Sequence, residues 1–312
     1  MISGKTMGTT YQVKVVTPVW TDAAGLKEKI EKRLTEINQS MSTYIADSEI
    51  NRFNAMKSLT EKFNVSDDFK NVVQVAEQIY KLSGGAWDGT IKPLVDRWGF
   101  GSGKLKKIPS EREIKTLLTG VGFEHLIISN AGYLKKKIPN LSLDFGSIAK
   151  GYGVDQLAVL VKESGYENYL VEIGGEVYTS GRNKSGRFWK VGINHPAKDA
   201  LPSEVYQVVS LKNQALATSG DYRNYIEIEG KFYSHIIDPR TGFPVNNGVV
   251  SVSIRADSCM FADGLATALM VIGVDRGLEL VNRLDRVEAM IILRRKSGQL
   301  VDYYSKGFMV DK

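Results

Sequence analysis

The sequence has little of what marks disulfides, metal clusters or membrane spans. It contains one cysteine in 312 residues, Cys259, which excludes an intrachain disulfide and a cysteine-rich metal site. Cys259 stands in the apolar run Cys259–Ala262, so we expect a buried, inert thiol rather than a nucleophile. No stretch of about 18 apolar residues is present, which excludes a transmembrane helix.

Common nucleotide-binding fingerprints are also missing. No GxGxxG pattern lies between a strand and a helix. The glycine-rich loop Gly99–Lys104 has the composition of a phosphate-binding loop, but Leu105 stands where Ser or Thr should bind magnesium, and the glycine spacing is wrong. We therefore reject a P-loop. No internal repeat is visible.

Charge is modest and scattered. The chain carries 41 Lys+Arg against 35 Asp+Glu, a net charge of +6, with 43% hydrophobic and 24% charged residues, which is typical of a globular protein. The dense run Lys135–Lys137 follows the turn Asn130–Gly132, and this pattern favours a solvated hairpin over a nucleic-acid patch. We predict no nucleic-acid partner, although a mild positive field favours an anionic ligand such as a phosphate ester.

Periodicity predicts a mixture of helices and strands. The principal predicted elements are a strand over Thr10–Val16, helices over Ala23–Met41, Ser66–Leu82 and Ser110–Leu118, a hairpin over 125–137, a strand over Leu141–Phe145 followed by a helix to Lys162, a strand over Tyr169–Ile173 and a helix over Phe261–Ile272. Strict βαβ alternation is absent, which favours an α+β fold with mixed sheets and helices packed on them. We expect residues 1–312 to form a single large domain, or two intimate lobes with the nucleotide site between them.

The most informative segment runs from Tyr233 to Gly242. His235, one of three histidines, follows the strand-like run Tyr225–Glu229. Histidine is the usual proton acceptor near neutral pH. Asp238–Gly242 then predicts a turn. The alternative is a structural hairpin whose histidine caps the end of a strand.

A second candidate is the predicted strand-to-helix junction at Asp144–Gly151. Such a junction points backbone N–H groups and the positive end of a helix at one place, which suits a phosphate. Lys150 would add a full charge. The alternative is a plain turn capped by Asp144.

A third candidate is the pair Asp263 and Thr267 in the last predicted helix. Residues four apart share a helix face, so a carboxylate and a hydroxyl could share a magnesium ion whose other ligands are a backbone carbonyl and substrate oxygens. Helix capping and a threonine bonded to its own helix are the structural alternative. We expect Asp263 to lie near the surface and to contribute about 1 kcal/mol to stability.

Several small polar segments accompany these three, and each alone is more typical of structure than of function. In chain order, they and the candidates resemble the FAD:protein FMN transferase family, also called ApbE. The matching segments are Thr6–Tyr11, Met41–Tyr44, Ser48–Asn54, Trp87–Thr90, Asp144–Tyr152, Gly174–Gly175, Ala217–Gly220, Ser234–Gly242 and Ala262–Thr267.

The resemblance implies FAD as substrate, Mg²⁺ as cofactor and transfer of FMN onto a threonine hydroxyl of an acceptor flavoprotein, with release of AMP. It implies metal ligation by Asp263, Thr267 and the carbonyl of Ser147, where the family more often has alanine. The expected flavin-nucleotide contacts, drawn from the resemblance and from the Ala217–Gly220 loop, are Met7, Phe53, Asn54, Ala55, Asp88, Lys150, Thr218, Ser219, Gly220, His235 and Ile236.

We expect His235 to act as the general base for the acceptor hydroxyl, because a hydroxyl is a weak nucleophile until a base removes its proton. Two other functions remain open: an Mg²⁺-dependent FAD pyrophosphatase that gives FMN and AMP, and a non-catalytic FAD-binding protein. Family members are often exported and lipid-anchored. We therefore expect an extracytoplasmic, membrane-associated full-length form, with the signal and anchor not visible in this sequence.

Overall fold

The computed structural model describes residues 1–17, 25–101, 105, 107–197, 201, 204–221, 225–228 and 230–311. The predicted helix start at Ala23, loop residues 102–104 and Glu229 lie outside these ranges. The helices are α1 Leu26–Met41, α2 Glu49–Ala55, α3 Asp67–Ser83, α4 Lys92–Arg97, α5 Glu111–Leu118, α6 Ala149–Glu163, α7 Cys259–Ile272 and α8 Val274–Val281, with a 3₁₀ turn at Phe123–His125.

The strands within the described residues are β1 Ile2–Thr6, β2 Thr9–Val15, β3 Phe63–Asn64, β4 Leu126–Ser129, β5 Tyr133–Lys136, β6 Tyr169–Ile173, β7 Glu176–Ser180, β8 Trp189–Asn194, β9 Val205–Leu211, β10 Ala215–Gly220, β11 Tyr225–Ile228, β12 Lys231–Ser234, β13 Ile237–Asp238, β14 Phe243–Pro244, β15 Val249–Ala256, β16 Glu288–Arg294 and β17 Leu300–Tyr304.

An eight-stranded sheet organises the molecule. Its strand order is β1-β2-β6-β7-β10-β15-β16-β17, and every neighbouring pair is antiparallel. Side chains of each strand alternate between the two faces, and the neighbouring residues Leu170 and Val171 belong to different hydrophobic cores, so both faces of the sheet are covered. Helices α6 and α7 pack on one face, where Val171 and Ile254 join the largest hydrophobic core. The β8–β9 hairpin contributes Trp189 and Val209 to a second core that includes Leu170.

Local sequence signals set several helix ends. The Ser66 side chain accepts a hydrogen bond from the Phe69 N–H at the start of α3, and Gly84 ends that helix in the left-handed conformation at φ 60°. Ser110 and Glu113 form a reciprocal capping box at the start of α5. These are standard helix signals, which explains why the sequence located both helices to within a few residues.

The α+β prediction is confirmed, since helices pack on sheets whose strand pairs are antiparallel within the described residues. The strand over Tyr169–Ile173 has the predicted bounds, and Ser48 caps the start of α2 by accepting a hydrogen bond from the Asn51 N–H. The strand predicted over Leu141–Phe145 is wrong: this segment belongs to no sheet. Its backbone groups bond elsewhere, because the Asn54 amide pairs with both the N–H and the C=O of Leu143.

Within the described ranges, no helix combines the length and hydrophobicity that crossing a membrane requires. Whether residues 1–312 act as one domain stays a prediction.

Candidate functional site

A buried charge cluster lies where α6, α7 and the start of β7 meet. The Lys150 Nζ lies 2.7 Å from Glu176 Oε1 and 3.8 Å from Asp263 Oδ1. The side chains of Glu176 and Asp263 are each only 3% exposed, and that of Lys150 is 29% exposed. The Gly151 N–H donates to Asp263 Oδ2 at 2.9 Å. One of the N–H groups of the Asp144–Gly151 junction, which we expected to face a phosphate, therefore binds Asp263, the predicted metal ligand.

Burial and charge act in opposite directions in this cluster. Burial alone would lower the pKa of Lys150, but the carboxylates of Asp263 and Glu176 outweigh it and raise that pKa above its ordinary value. Burial raises the pKa of each carboxylate, and the Lys150 ammonium opposes that shift. Lys150 therefore stays charged, and its single ammonium interacts with both carboxylates, Glu176 and Asp263.

The expectation that Asp263 lies near the surface is wrong. The residue is 2% exposed, because α7 is apolar on nearly all sides and packs against both α6 and the sheet. Asp263 is therefore a buried charge with fixed partners. Removing the whole side chain would take a carboxylate away from Lys150 and an acceptor away from the Gly151 N–H. The free energy of unfolding would then fall by about 3–5 kcal/mol rather than about 1 kcal/mol.

Thr267 lies one helical turn after Asp263 and reaches the sheet. Its Oγ1 is 2.9 Å from the Ser219 Oγ on β10. At the preceding position of that strand, Thr218 pairs with Ser253 across β10 and β15, with 2.8 Å between their hydroxyl oxygens. Ser219 is thus joined to the predicted metal pair, whereas the Thr218 hydroxyl is bonded within the sheet, and Gly220 ends the strand.

Ser147 is held beside the Trp87–Thr90 turn. The Trp87 Nε1–H donates to the Ser147 Oγ at 2.9 Å, and the Asp144 N–H donates to the Gly89 carbonyl at 2.8 Å. Two segments that are far apart in the sequence therefore meet at the start of α6. The indole binds the Ser147 hydroxyl, and ligation of a metal by the Ser147 carbonyl stays a prediction.

Asp88 is a buried carboxylate of the same turn. Its Oδ1 accepts hydrogen bonds from the Thr90 N–H at 2.8 Å and the Thr90 hydroxyl at 2.7 Å. Burial raises the pKa of Asp88 from 3.8 to about 6, although the Thr90 bonds oppose that shift. The Asp88 carboxylate therefore stabilises the turn through Thr90, and its expected contact with the flavin nucleotide stays a prediction.

We expect Asp88→Asn to flatten the pH dependence of stability. The folded-state pKa is raised, so the folded protein binds this proton more tightly, and wild-type stability falls as pH rises from about 4 to about 6. A shift of roughly two units corresponds to about 3 kcal/mol. The asparagine carbonyl can keep the Thr90 bonds. Chemical denaturation of both proteins at pH 4 and pH 7 should show the variant gaining about that much relative to wild type. Parallel curves would contradict the assignment.

The segment Phe53–Ala55 forms the end of α2. The Phe53 ring is fully buried, with Lys136 Nζ 4.8 Å from its centroid, and Asn54 is engaged with Leu143. Lys136 also donates to the carbonyls of Asn54 and Met56 at 3.1 and 2.7 Å. Of the three residues expected to contact the flavin nucleotide, Ala55 is the exposed one. The other two hold the segment in place.

Met7 and His235 occupy the ends of hairpins. Met7 lies in the turn between β1 and β2 with φ 48°. Its methyl group packs against Gly153 of α6, where a side chain's β-carbon would come within 3.1 Å of that methyl group. His235 follows β12, with its ring centroid 6.3 Å from that of Phe100, and Ile236 is buried. Ser234, immediately before the histidine, lines a cavity of about 1010 Å³. His235 itself is not among the residues that line this cavity.

Two residues that sequence reasoning missed belong to the arrangement. Glu176 follows the noted Gly174–Gly175 turn, but nothing in the pattern marked it as a partner of Lys150. Asp155 on α6 accepts hydrogen bonds from the N–H groups of Cys259 and Met260 at 2.8 and 3.0 Å, and from the Ser258 hydroxyl at 2.8 Å. It therefore caps the N-terminus of α7.

Helices α6 and α7 are thus joined by two reciprocal contacts, in which an aspartate of each helix accepts hydrogen bonds from the first turn of the other. Asp155 of α6 binds the first turn of α7, and Asp263 of α7 binds the first turn of α6 through Gly151. A β-carbon at Gly151 would lie 2.4 Å from the Cys259 carbonyl oxygen, so the close approach requires glycine there. We name this arrangement the α6–α7 clasp; it consists of Asp155, Gly151, Asp263 and the backbone of Cys259–Met260.

The donor set fits magnesium better than a softer metal. The predicted ligands are oxygens only: a buried carboxylate, a hydroxyl and a carbonyl. In the residues that the structure describes, no group of three or more His, Cys, Asp or Glu side chains is placed to hold a metal. A site with so few protein ligands is typical of magnesium that also binds substrate phosphates.

Comparison with known proteins extends the resemblance to the whole chain. A model described as the ApbE family matches residues 7–291. A protein of Vibrio cholerae serotype O1 named FAD:protein FMN transferase is 43% identical over 309 residues, which are 98% of this chain and 91% of that protein. A protein of the same name from Escherichia coli K12 is 37% identical over 287 residues, 91% of this chain and 81% of that protein.

Solved structures agree with the sequence relatives. The flavin transferase ApbE from Vibrio cholerae superimposes with a TM-score of 0.89 at 42% identity, covering 98% of this chain and 97% of that one. The apo flavinyl transferase ApbE from Pseudomonas stutzeri gives a TM-score of 0.87 at 37% identity, covering 98% and 94%. The sequence motifs, the fold and the site therefore lead to one conclusion: this chain belongs to the ApbE family.

Proposed function

We propose that the protein is an Mg²⁺-dependent FAD:protein FMN transferase that moves FMN from FAD onto a threonine hydroxyl of an acceptor flavoprotein and releases AMP. The observation that carries the proposal is the joining of Lys150, Asp263, Thr267 and Ser219 into one site in a chain that matches proteins of this name over more than nine-tenths of its length.

The metal part of the proposal assigns three ligands. Asp263, Thr267 and the Ser147 carbonyl would hold the ion. When bound, magnesium would offset negative charge on the pyrophosphate oxygens of FAD. The α6–α7 clasp holds Asp263 beside Lys150, which would keep the ion and the ammonium close together.

His235 is the proposed general base. Its imidazole takes the proton from the acceptor threonine, the threonine oxygen forms a bond to the FMN phosphorus, and the bond from that phosphorus to the AMP oxygen breaks. AMP leaves with the bonding electron pair. The imidazole, whose unperturbed pKa is nearest neutrality among the side chains, supports this role because a base must be neutral to accept the threonine proton at pH 7.

The decisive test is an incubation with FAD, Mg²⁺ and an acceptor flavoprotein domain, followed by intact-mass measurement. We expect the acceptor to gain the mass of FMN, and an acceptor with valine at the target threonine to remain unmodified. Free FMN and AMP with an unmodified acceptor would instead show hydrolysis. An unchanged FAD pool would leave only a binding function.

We also expect the protein to bind FAD although no dinucleotide fingerprint is present. Magnesium at the proposed site would offset the charge of the pyrophosphate, so riboflavin, which lacks phosphate, should bind at least about tenfold more weakly, or 1.4 kcal/mol. Calorimetric titration of the folded protein in Mg²⁺ buffer measures both ligands. Absence of any FAD affinity there would overturn the proposed function.

A further inference from the structure

The charge cluster at Lys150 does not balance by itself. Glu176 and Asp263 supply two carboxylates, each with a side chain 3% exposed, and Lys150 supplies one ammonium. One ammonium can compensate only one of the two negative charges. A buried carboxylate without a counter-charge is unfavourable, so the cluster is suited to one further cation.

The unmet bonding capacity lies on Glu176. Its Oε1 is taken by Lys150 at 2.7 Å, whereas its buried Oε2 accepts no hydrogen bond from the described residues. Both oxygens of Asp263 have partners, Lys150 and the Gly151 N–H. A buried polar atom with no partner is rare in folded proteins. An oxygen anion of this kind matches a hard divalent cation.

We propose that Glu176 is a second carboxylate of the cation site and that, together with Asp263, it gives the free protein affinity for a divalent ion before FAD binds. The proposal rests on the proposed function and adds a residue and an order of binding to it. A site with one carboxylate would depend on substrate phosphates for most of its affinity, whereas two carboxylates retain the ion without substrate.

The test measures Mn²⁺ binding to the protein without FAD, from the electron paramagnetic resonance signal of free Mn²⁺, with Mg²⁺ as competitor. We expect one site in the wild type and an affinity lower by about 10–100-fold in Glu176→Gln. The matched control is Glu172→Gln, which removes a neighbouring carboxylate that accepts a hydrogen bond from the Gly175 N–H at 2.7 Å. It should stay within about twofold of wild type.

Melting temperatures separate ligation from folding. If Glu176 has only a structural role, Glu176→Gln should melt at a lower temperature than wild type, and Mn²⁺ should raise both melting temperatures equally. If Glu176 binds the ion, the rise caused by Mn²⁺ should be smaller in Glu176→Gln than in wild type. Should Glu176→Gln fail to fold, wild-type protein with ¹³C-labelled glutamate provides the measurement. One equivalent of Mg²⁺ should then shift a glutamate carboxylate band in the infrared difference spectrum, and an unshifted spectrum would refute the proposal.

The outcomes distinguish this proposal from the proposed function. Equal Mn²⁺ affinity in wild type and Glu176→Gln, or wild-type binding that appears only when FAD is added, removes Glu176 from the site and leaves the transferase reading intact. Absence of divalent-ion binding even with FAD overturns both this proposal and the magnesium dependence of the reaction.

Discussion

Asp263→Asn is expected to abolish FMN transfer while the protein remains folded. Asparagine keeps a side-chain oxygen for the Gly151 N–H but removes the carboxylate charge from the predicted cation site. Loss of a metal's charge stabilisation amounts to several kcal/mol, so the rate should fall by at least about 10³-fold. The change also removes one of two buried negative charges beside Lys150, which should leave the melting temperature close to that of wild type.

The control for this variant is Asp275→Asn, which changes an exposed carboxylate in the first turn of α8. It should retain transfer activity. Chelation with EDTA should reproduce the effect of Asp263→Asn in wild type, and added Mg²⁺ should reverse it. An Asp263→Asn protein with full activity, or activity indifferent to EDTA, would show that neither this carboxylate nor a metal is needed.

His235→Ala is expected to slow transfer by about 10²–10⁴-fold with little change in FAD affinity, because a general base acts on the acceptor hydroxyl and not on the bound nucleotide. The wild-type rate should rise with pH as the imidazole loses its proton. A rate that falls over the same range would mean that the protonated ring acts, as a cation for phosphate. Transfer rate, FAD affinity and melting temperature should be measured on the same preparation.

His125→Ala provides the matched control, since it removes a histidine from the 3₁₀ turn at Phe123–His125. It should leave the transfer rate within about twofold. If His235→Ala loses activity only in proportion to a lowered melting temperature, the histidine is a structural part of its hairpin. A fully active His235→Ala protein would leave the acceptor hydroxyl without its base.

Local chemistry explains what the sequence could predict. Capping residues and apolar periodicity located α3, α5 and α7 within a few residues, and the four-residue spacing of Asp263 and Thr267 placed both on one helix. The strand prediction over Leu141–Phe145 failed because the apolar pattern of this segment is strand-like. Its backbone hydrogen bonds instead join Asn54 and Gly89, which are distant in the sequence.

Long-range relations were out of reach for the same reason. Glu176 reaches Lys150, and Trp87 reaches Ser147, only because the sheet and helices bring separated segments together. The burial of Asp263 is likewise a property of the packed α6–α7 layer and not of its neighbours in the sequence.

The α6–α7 clasp has a consequence for hybrid proteins built from two relatives. Each helix carries the aspartate that caps the other, and Gly151 leaves no space for even one added carbon atom. A crossover between residues 163 and 259 would take the two halves from different parents and combine helices whose mutual spacing was never matched. Such hybrids should unfold at a lower temperature than hybrids that inherit both helices from one parent.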